Sequence, residues 1–441
     1  MRWGAALLNW IWLGLILVAV VHAAFTGRME SVSSAAFEEA KNAVSLVIGL
    51  TGGMILFLGL MRVARDGGLL IGVARLLSPL LRRLFPEVPA EHPAMGAMVM
   101  NMASNILGLG NAATPFGLKA MTELERLNPN PGVATNAMVL FLAINTSAIT
   151  LMAPTGTMMV RSAAGSAAPA AIWIPTLIAT TCSTIAAVGM FFLLRGRSRY
   201  APRPLPEAMG AAPAPPVIEI PEPEEIGERK PAGPLRWALV IGTGAALLVG
   251  LALEVPRLSA EMPPGDVLRT LSAHWPIPLL IAGLLLVGVA GRVRVYESMV
   301  AGAREGLDVA VRIVPYLVAI LVAVGMFRAS GALTLVIGAL EPLTSRVGFP
   351  AEALPMALLR PLSGSGAFGV MAEILEAHGP DSFVGMLAST LQGSTETTFY
   401  VLTVYCGAAG VRDVRHALPA CLTGDLAGAM GATAACHLFF G

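Results

Sequence analysis

The chain has 441 residues, 55% of them hydrophobic and only 13% charged, with a formal net charge of +1. Soluble domains carry roughly a quarter charged residues, so the average position here cannot face water and a membrane class follows. The arginines sit beside apolar runs and form no basic face interleaved with aromatics, which excludes nucleic acid as a partner and leaves membrane lipids as the expected surroundings.

In chain order, the first apolar run lies at 7–25, behind Arg2. Val21-His22-Ala23 resembles a signal-peptide cleavage site, but the run is longer than a typical signal core, so a retained first membrane helix is expected. A helix needs about 20 apolar residues to cross hydrocarbon, and further crossings are expected at 43–61, 133–155, 170–194, 236–253, 276–291, 309–327, 383–409 and 415–440. The expected fold is therefore all-α and polytopic, with about nine transmembrane helices; a β-barrel would instead alternate in segments of roughly ten residues.

Between 62 and 92 lie Arg62, Arg65, Arg75, Arg82 and Arg83, and the positive-inside bias assigns that stretch, and the N-terminus with it, to the cytoplasm. Residues 196–235 follow Arg195, include Arg197, Arg199 and Arg203, and are rich in proline and glutamate without an apolar period; they read as a disordered cytoplasmic linker between membrane halves 1–195 and 236–441. With both stretches inside, only an even number of crossings fits between them, and 133–155 with 170–194 supply two. The apolar stretch 93–116 must then enter and leave on one side, as a re-entrant hairpin whose tip is the Gly-rich Leu107-Gly108-Leu109-Gly110-Asn111.

The halves repeat. Leu77-Ser78-Pro79-Leu80 with Phe85-Pro86 recurs as Leu340-Glu341-Pro342-Leu343 with Phe349-Pro350, and Gly59-Leu60-Met61-Arg62 as Gly325-Met326-Phe327-Arg328. Phe116-Gly117 corresponds to Phe368-Gly369, each after a Ser/Gly/Asn-rich tip. Arg292, Arg294 and Arg304 mark the start of 309–327 as cytoplasmic and leave Arg328 to Arg346 outside, so the repeats are expected to be inverted, each with one hairpin, as in many secondary transporters.

Asn101-Met-Ala-Ser-Asn105-Ile-Leu-Gly-Leu-Gly-Asn111-Ala-Ala-Thr-Pro115 resembles the signature of spore maturation protein A. Arg360-Pro-Leu-Ser-Gly-Ser-Gly366 and Leu387-Ala-Ser-Thr-Leu-Gln-Gly-Ser-Thr-Glu396-Thr-Thr-Phe-Tyr400 resemble spore maturation protein B. The chain thus looks like a fusion of both. The resemblance implies the nucleoside recognition or Gate domain in each half, shared with concentrative nucleoside transporters and ferrous-iron permeases, and a bacterial inner (cytoplasmic) membrane location. It also implies a homo-oligomer, and it does not establish a nucleoside as the solute.

Small polar groups and open backbone at membrane depth can bind a polar solute. Such groups are Asn101, Asn105, Asn111 and Thr114 around the first tip, and Ser363 and Ser365 around the second. Asn145, Thr146 and Ser147 interrupt the crossing at 133–155, and Gln392, Ser394, Thr395, Glu396 and Thr397 interrupt its counterpart. Arg360, Glu396 and Asp425 are ionisable at membrane depth, where an unpaired charge is costly, so they are expected to be paired or to couple to H+ or Na+. Cys182, Cys406, Cys421 and Cys436 lack paired metal or redox spacing, and His416 and His437 are isolated and expected at the interface. No HExxH, GxSxG or GxxxxGK occurs, so no metal, cofactor or catalytic step is expected. The function expected is movement of a small polar or amphiphilic solute between two inverted hairpins; the alternative is a non-transporting membrane scaffold in envelope or spore maturation.

Overall fold

A computed structural model describes residues 3–108, 110–151, 154–202, 233–263, 267, 270–271 and 274–441. Among these every regular element is helical, and the one isolated β-bridge joins Val133 to Asp413. The first half comprises α1 (Trp3–Thr26), α2 (Met29–Asp66), α3 (Leu69–Leu84), α4 (Pro93–Ile106), α5 (Gly110–Arg126), α6 (Asn136–Thr146), α7 (Thr155–Ala163) and α8 (Trp173–Leu194). The second comprises α9 (Pro234–Glu261), α10 (Pro276–Ala290), α11 (Val295–Ala329), α12 (Ala332–Thr344), α13 (Leu354–Leu359), α14 (Gly364–His378), α15 (Phe383–Ser394), α16 (Thr398–Ala409) and α17 (Ala417–Phe440). Most of the expected linker, 203–232, lies outside the described residues.

Two helical stretches, Pro169–Leu194 and Pro234–Glu261, are each long and apolar enough to cross a membrane, and Leu317–Ala329 with Ala332–Ala339 is a bent pair that passes the same test together. Shorter apolar helical stretches are Trp12–Thr26, Asn136–Thr146 and Pro276–Ala290. The expected crossing at 133–155 is two helices broken between Thr146 and Thr155, and that at 383–409 is broken between Ser394 and Thr398, where the polar runs lie. Upstream of the span expected at 43–61, α2 begins already at Met29, so the charged residues Glu38, Glu39 and Lys41 are helical rather than loop.

Helices of the two halves pack against each other in opposite directions. Gly59 of α2 faces the Met299 carbonyl near the start of α11, and Ser298 Oγ donates to Asp66 Oδ2 at 2.7 Å. At the other end Arg328 of α11 reaches Glu39 of α2 at 2.8 Å and Glu373 of α14 at 3.2 Å. Glycine lets these backbones approach, since a Cβ on Gly302 would stand 2.5 Å from Arg62 Cβ and 2.7 Å from the Leu58 carbonyl. The pair α8 and α17 repeats the device: Gly424 faces Ala187 and Ser183, while Gly431 faces Cys182 and Ala179. α1 runs alongside α11 in the same direction, with Trp12 Nε1 donating to the Ala319 carbonyl at 2.9 Å and His22 Nδ1 2.8 Å from the Ser330 carbonyl.

Two loop pairs complete the exchange. The α5–α6 loop meets the α16–α17 loop through Ala134 N–H to Asp413 O (2.8 Å) and Arg412 N–H to Gly132 O (2.7 Å). Arg415 of the latter donates to Ala134 O and Asn136 Oδ1, each at 3.0 Å, and to Tyr200 O at 2.7 Å. A second clasp is made by Arg161, at the end of α7, which is wholly buried and donates to Pro380 O (2.6 Å) and Asp381 Oδ1 (2.8 Å) of the α14–α15 loop. Between these clasps lies a core of Met98, Met121, Met138, Phe141, Leu142 and Met371, all without exposure.

His416 is fully buried, stacked on Phe191 at 5.5 Å with Tyr200 at 5.7 Å. Arg415 next to it turns back to bind the first half. His437 keeps an exposed contact, Nε2 lying 2.8 Å from Gly348 O.

Candidate functional site

Each half contributes one hairpin and one broken helix to the centre. The first hairpin turns at Leu107 and Gly108, whose φ of 67° is the left-handed conformation glycine adopts without strain. The second turns at Arg360–Ser363, where Ser363 Oγ accepts from Gly366 N at 3.0 Å and caps α14. At membrane depth every freed backbone group needs a partner, and the breaks supply them. Leu151 N–H donates to Ile106 O at the first tip (3.1 Å), Phe399 N–H to Pro361 O at the second (2.9 Å), and Glu396 N–H crosses between the two breaks to Thr146 O (2.8 Å).

Between these four interruptions is a cavity of ≈ 250 Å³, and its walls come from both tips and both breaks. Of the residues singled out in the sequence, Asn105, Arg360, Gln392, Thr395, Glu396 and Thr397 line it. The Glu396 side chain is half exposed, 50%, whereas Arg360 is 10% exposed. Arg360 Nη1 donates to Thr397 Oγ1 at 3.0 Å, Nη2 donates to the Thr395 carbonyl, and Nη2 stands 4.0 Å from Glu396 Oε2. The guanidinium therefore ties the second tip to the second break within the cavity wall.

Other singled-out residues form the layer behind. Asn145 Nδ2 donates to Asn101 Oδ1 (2.6 Å), Asn105 Nδ2 to Asn145 Oδ1 (2.9 Å), and Asn101 Nδ2 to Ala113 O (2.8 Å) and Tyr405 Oη (3.3 Å). Thr146 and Ser147 hydroxyls donate back to Ala143 O, and Ser394 to Leu391 O, so these three satisfy their own helix ends. Thr114 sits beside Tyr405, and Ser365 lies in the first turn of α14 without lining the cavity. The side chain of Asn111 lies outside the described residues. Asp425 is not on the wall either: it faces Thr395 and Thr398 from α17, within electrostatic reach of Arg360, and both its oxygens are buried without a hydrogen-bond partner.

Sequence reasoning missed several wall residues. Thr150 and Pro154 of the first break, Thr155, Gly156 and Thr157 of the first turn of α7, and Phe368 of α14 also line the cavity. Pro154 and Gly156, following Asn145-Thr146-Ser147, were the available signal, since proline and glycine stop a helix from resuming at once. Among the described residues no group of three or more His, Cys, Asp or Glu side chains could hold a metal ion.

Residues 47–194 and 310–412, more than half the chain, match the family model described as Gate, nucleoside recognition. The chain is 48% identical over 165 residues to spore maturation protein B of Bacillus subtilis (strain 168), covering 37% of this chain and 93% of that protein. It is 42% identical over 182 residues to spore maturation protein A of the same organism, covering 41% of this chain and 92% of that protein. One polypeptide thus carries regions similar to nearly the whole of each relative, as a fusion does. No solved structure matches.

Proposed function

Because the chain belongs to the nucleoside recognition Gate family, we propose that it is a membrane carrier, moving a small polar or amphiphilic solute through the cavity between its two hairpin tips. It has no catalytic step, and Glu396 and Asp425 are the groups available for coupling to H+ or Na+. The observation that carries the reading is convergence: both tips and both breaks, from both halves, bound one cavity at the centre of the helical bundle. Interrupted helices at a repeat interface are where secondary transporters place their solutes.

The antiparallel pairing of α2 with α11 and α8 with α17, and the two-way loop exchange, support an inverted relation between the halves. In this reading the chain crosses a bacterial inner membrane with its N-terminus in the cytoplasm. Arg126, Arg195, Arg197, Arg199, Arg412 and Arg415 cluster in sequence about the loops joined by the Val133–Asp413 bridge, which supports that end as the cytoplasmic one.

The test is flux from liposomes holding the purified full chain and loaded with a mixture of small polar solutes, uridine included, followed by mass spectrometry. At least one solute is expected to be depleted relative to protein-free vesicles, and the loss is expected to fall several-fold in Gln392→Ala. If no solute in a broad set moves while the reconstituted protein stays monodisperse, the carrier reading fails and the scaffold reading replaces it.

A further inference from the structure

The three ionisable side chains around the second break do not balance: Arg360 contributes one positive charge, and Glu396 and Asp425 two negative ones. Glu396 is half exposed to the cavity, where water or solute can screen it. Asp425 has no such relief: its oxygens are buried, and the polar side chains nearest them are the uncharged hydroxyls of Thr395 and Thr398. Excess charge held away from water is costly, and carboxyls so placed take up a proton instead.

The orphaned polar atoms gather at the same place. Thr398 Oγ1 is buried without a partner beside Asp425, Ser183 Oγ lies 3.3 Å from the position a Cβ would take on neighbouring Gly424, and Arg360 Nε is also unpaired. Arg360 already serves Thr395 O and Thr397 Oγ1 and stands nearest Glu396, so it does not reach Asp425 with a hydrogen bond. The groups facing Asp425 from its surroundings are Arg360 from the second tip, which also meets Glu396, Thr395 in the break, Thr398 at the start of α16, and Cys421 one turn earlier in its own helix. α8 contributes Ser183 and, further along, Cys182, and α6 contributes the Thr146 hydroxyl beside Cys421. Asp425 is thus the carboxyl in this cluster that neither solute nor solvent compensates.

We infer that Asp425 is a proton-binding site, placed behind the cavity wall and linked to it through Arg360. This inference rests on the carrier reading for its purpose, but proton binding itself does not depend on any solute. With a proton on one Asp425 oxygen, the O–H can be given to the Thr398 hydroxyl, Arg360 pairs with Glu396 alone, and the cluster is neutral. Released to the aqueous phase, the proton leaves a second carboxylate competing with Glu396 for one guanidinium. Because Arg360 holds the tip to the break, that competition reaches the residues that line the cavity. A sodium ion would restore neutrality too, but the Arg360 charge opposes a second cation nearby, whereas a proton neutralises the carboxyl itself.

Infrared difference spectroscopy of the full chain in lipid, stepped between about pH 6 and pH 9 in choline chloride and again in sodium chloride, tests the assignment without any solute. A protonated-carboxyl C=O band is expected in wild type and in Glu396→Gln, lost in Asp425→Asn, and unaffected by exchanging sodium for choline. Carboxyl-13C aspartate labelling of wild type is expected to move the band, which keeps the test open if Asp425→Asn does not fold. A band that survives in Asp425→Asn, or that fails to move on labelling, overturns the inference. So does a band that sodium abolishes, since that assigns the site to sodium. Liposome flux without the band leaves the carrier reading standing and removes the proton site; the band without flux does the reverse.

Discussion

At the scale of single residues, the centre is held by amides and one guanidinium rather than by apolar fit. Asn101, Asn105 and Asn145 form a chain in which each is a partner of the next, with Asn101 and Asn145 almost wholly buried. Replacing one member strands the others, at about 1–3 kcal/mol for each buried group left unpaired. Asn145→Leu is therefore expected to lower the melting temperature in detergent clearly more than Ser365→Ala, and equal effects would remove the triad from the list of structural determinants. Arg161 and Asp381 make a second residue-level prediction. Partial burial pushes the Asp381 carboxyl up, but the Ser166 hydroxyl, the Ala167 N–H and Arg161 outweigh it and hold it below its ordinary range. A depressed carboxyl stabilises the fold above its unfolded pKa of about 3.9, and that contribution is lost as pH falls through the lower folded value. Asp381→Asn is expected to melt below wild type at neutral pH, with the gap closing toward the acid end of a pH series; a gap independent of pH would count against the clasp.

At the scale of elements, glycine decides how close the halves come. Gly302→Val would drive a branched side chain into Arg62 and the Leu58 carbonyl, and overpacking of this kind costs about 1–3 kcal/mol. Gly242→Val on the outward side of α9, where nothing lies within 4 Å, is the control and is expected to leave the monodisperse fraction and melting temperature unchanged. Equal behaviour of the two variants would show that α2 and α11 do not depend on close approach. Much of this level was legible in the chain: hydropathy located Pro169–Leu194 and Pro234–Glu261, the Gly-rich stretch from Leu107 marked the turn between α4 and α5, and the polar runs at Asn145–Ser147 and Gln392–Thr397 marked the breaks. What was not legible depends on contacts between distant segments. The start of α2 looks like a charged loop, yet Glu39 is buried because Arg328, 289 positions away, meets it there. Arg161 sits in a polar stretch with no period, and only the fold brings Asp381 to it. The burial of His416 was not legible either, because nothing in its neighbours announces that Arg415 will bind back across the molecule.

At the scale of the whole molecule, the antiparallel packing predicts sidedness. Single cysteines at residues 70 and 335, in a background lacking the native four, are expected to react with impermeant reagents from opposite sides of the membrane, residue 70 from the cytoplasm. Labelling of both from one side would end the inverted arrangement. The candidate site was legible as a set of polar interruptions but not as a surface, because which of those side chains face the cavity and which, like Asn101 and Ser394, serve the layer behind is decided by helix rotation.

The two reciprocal clasps have one more consequence. Arg161 of the first half grips a loop of the second, and Arg415 of the second grips a loop of the first, so neither half can withdraw without releasing a buried arginine or a backbone bridge. In Bacillus subtilis the two similar regions belong to separate proteins. In the present chain the two regions are held both by the covalent join and by the clasps. A copy cut by a site-specific protease inserted between 203 and 232 is expected to elute as a single one-to-one assembly of two fragments, with unchanged flux. Fragments that part on a sizing column would show that the join, not the clasp, keeps the partners together.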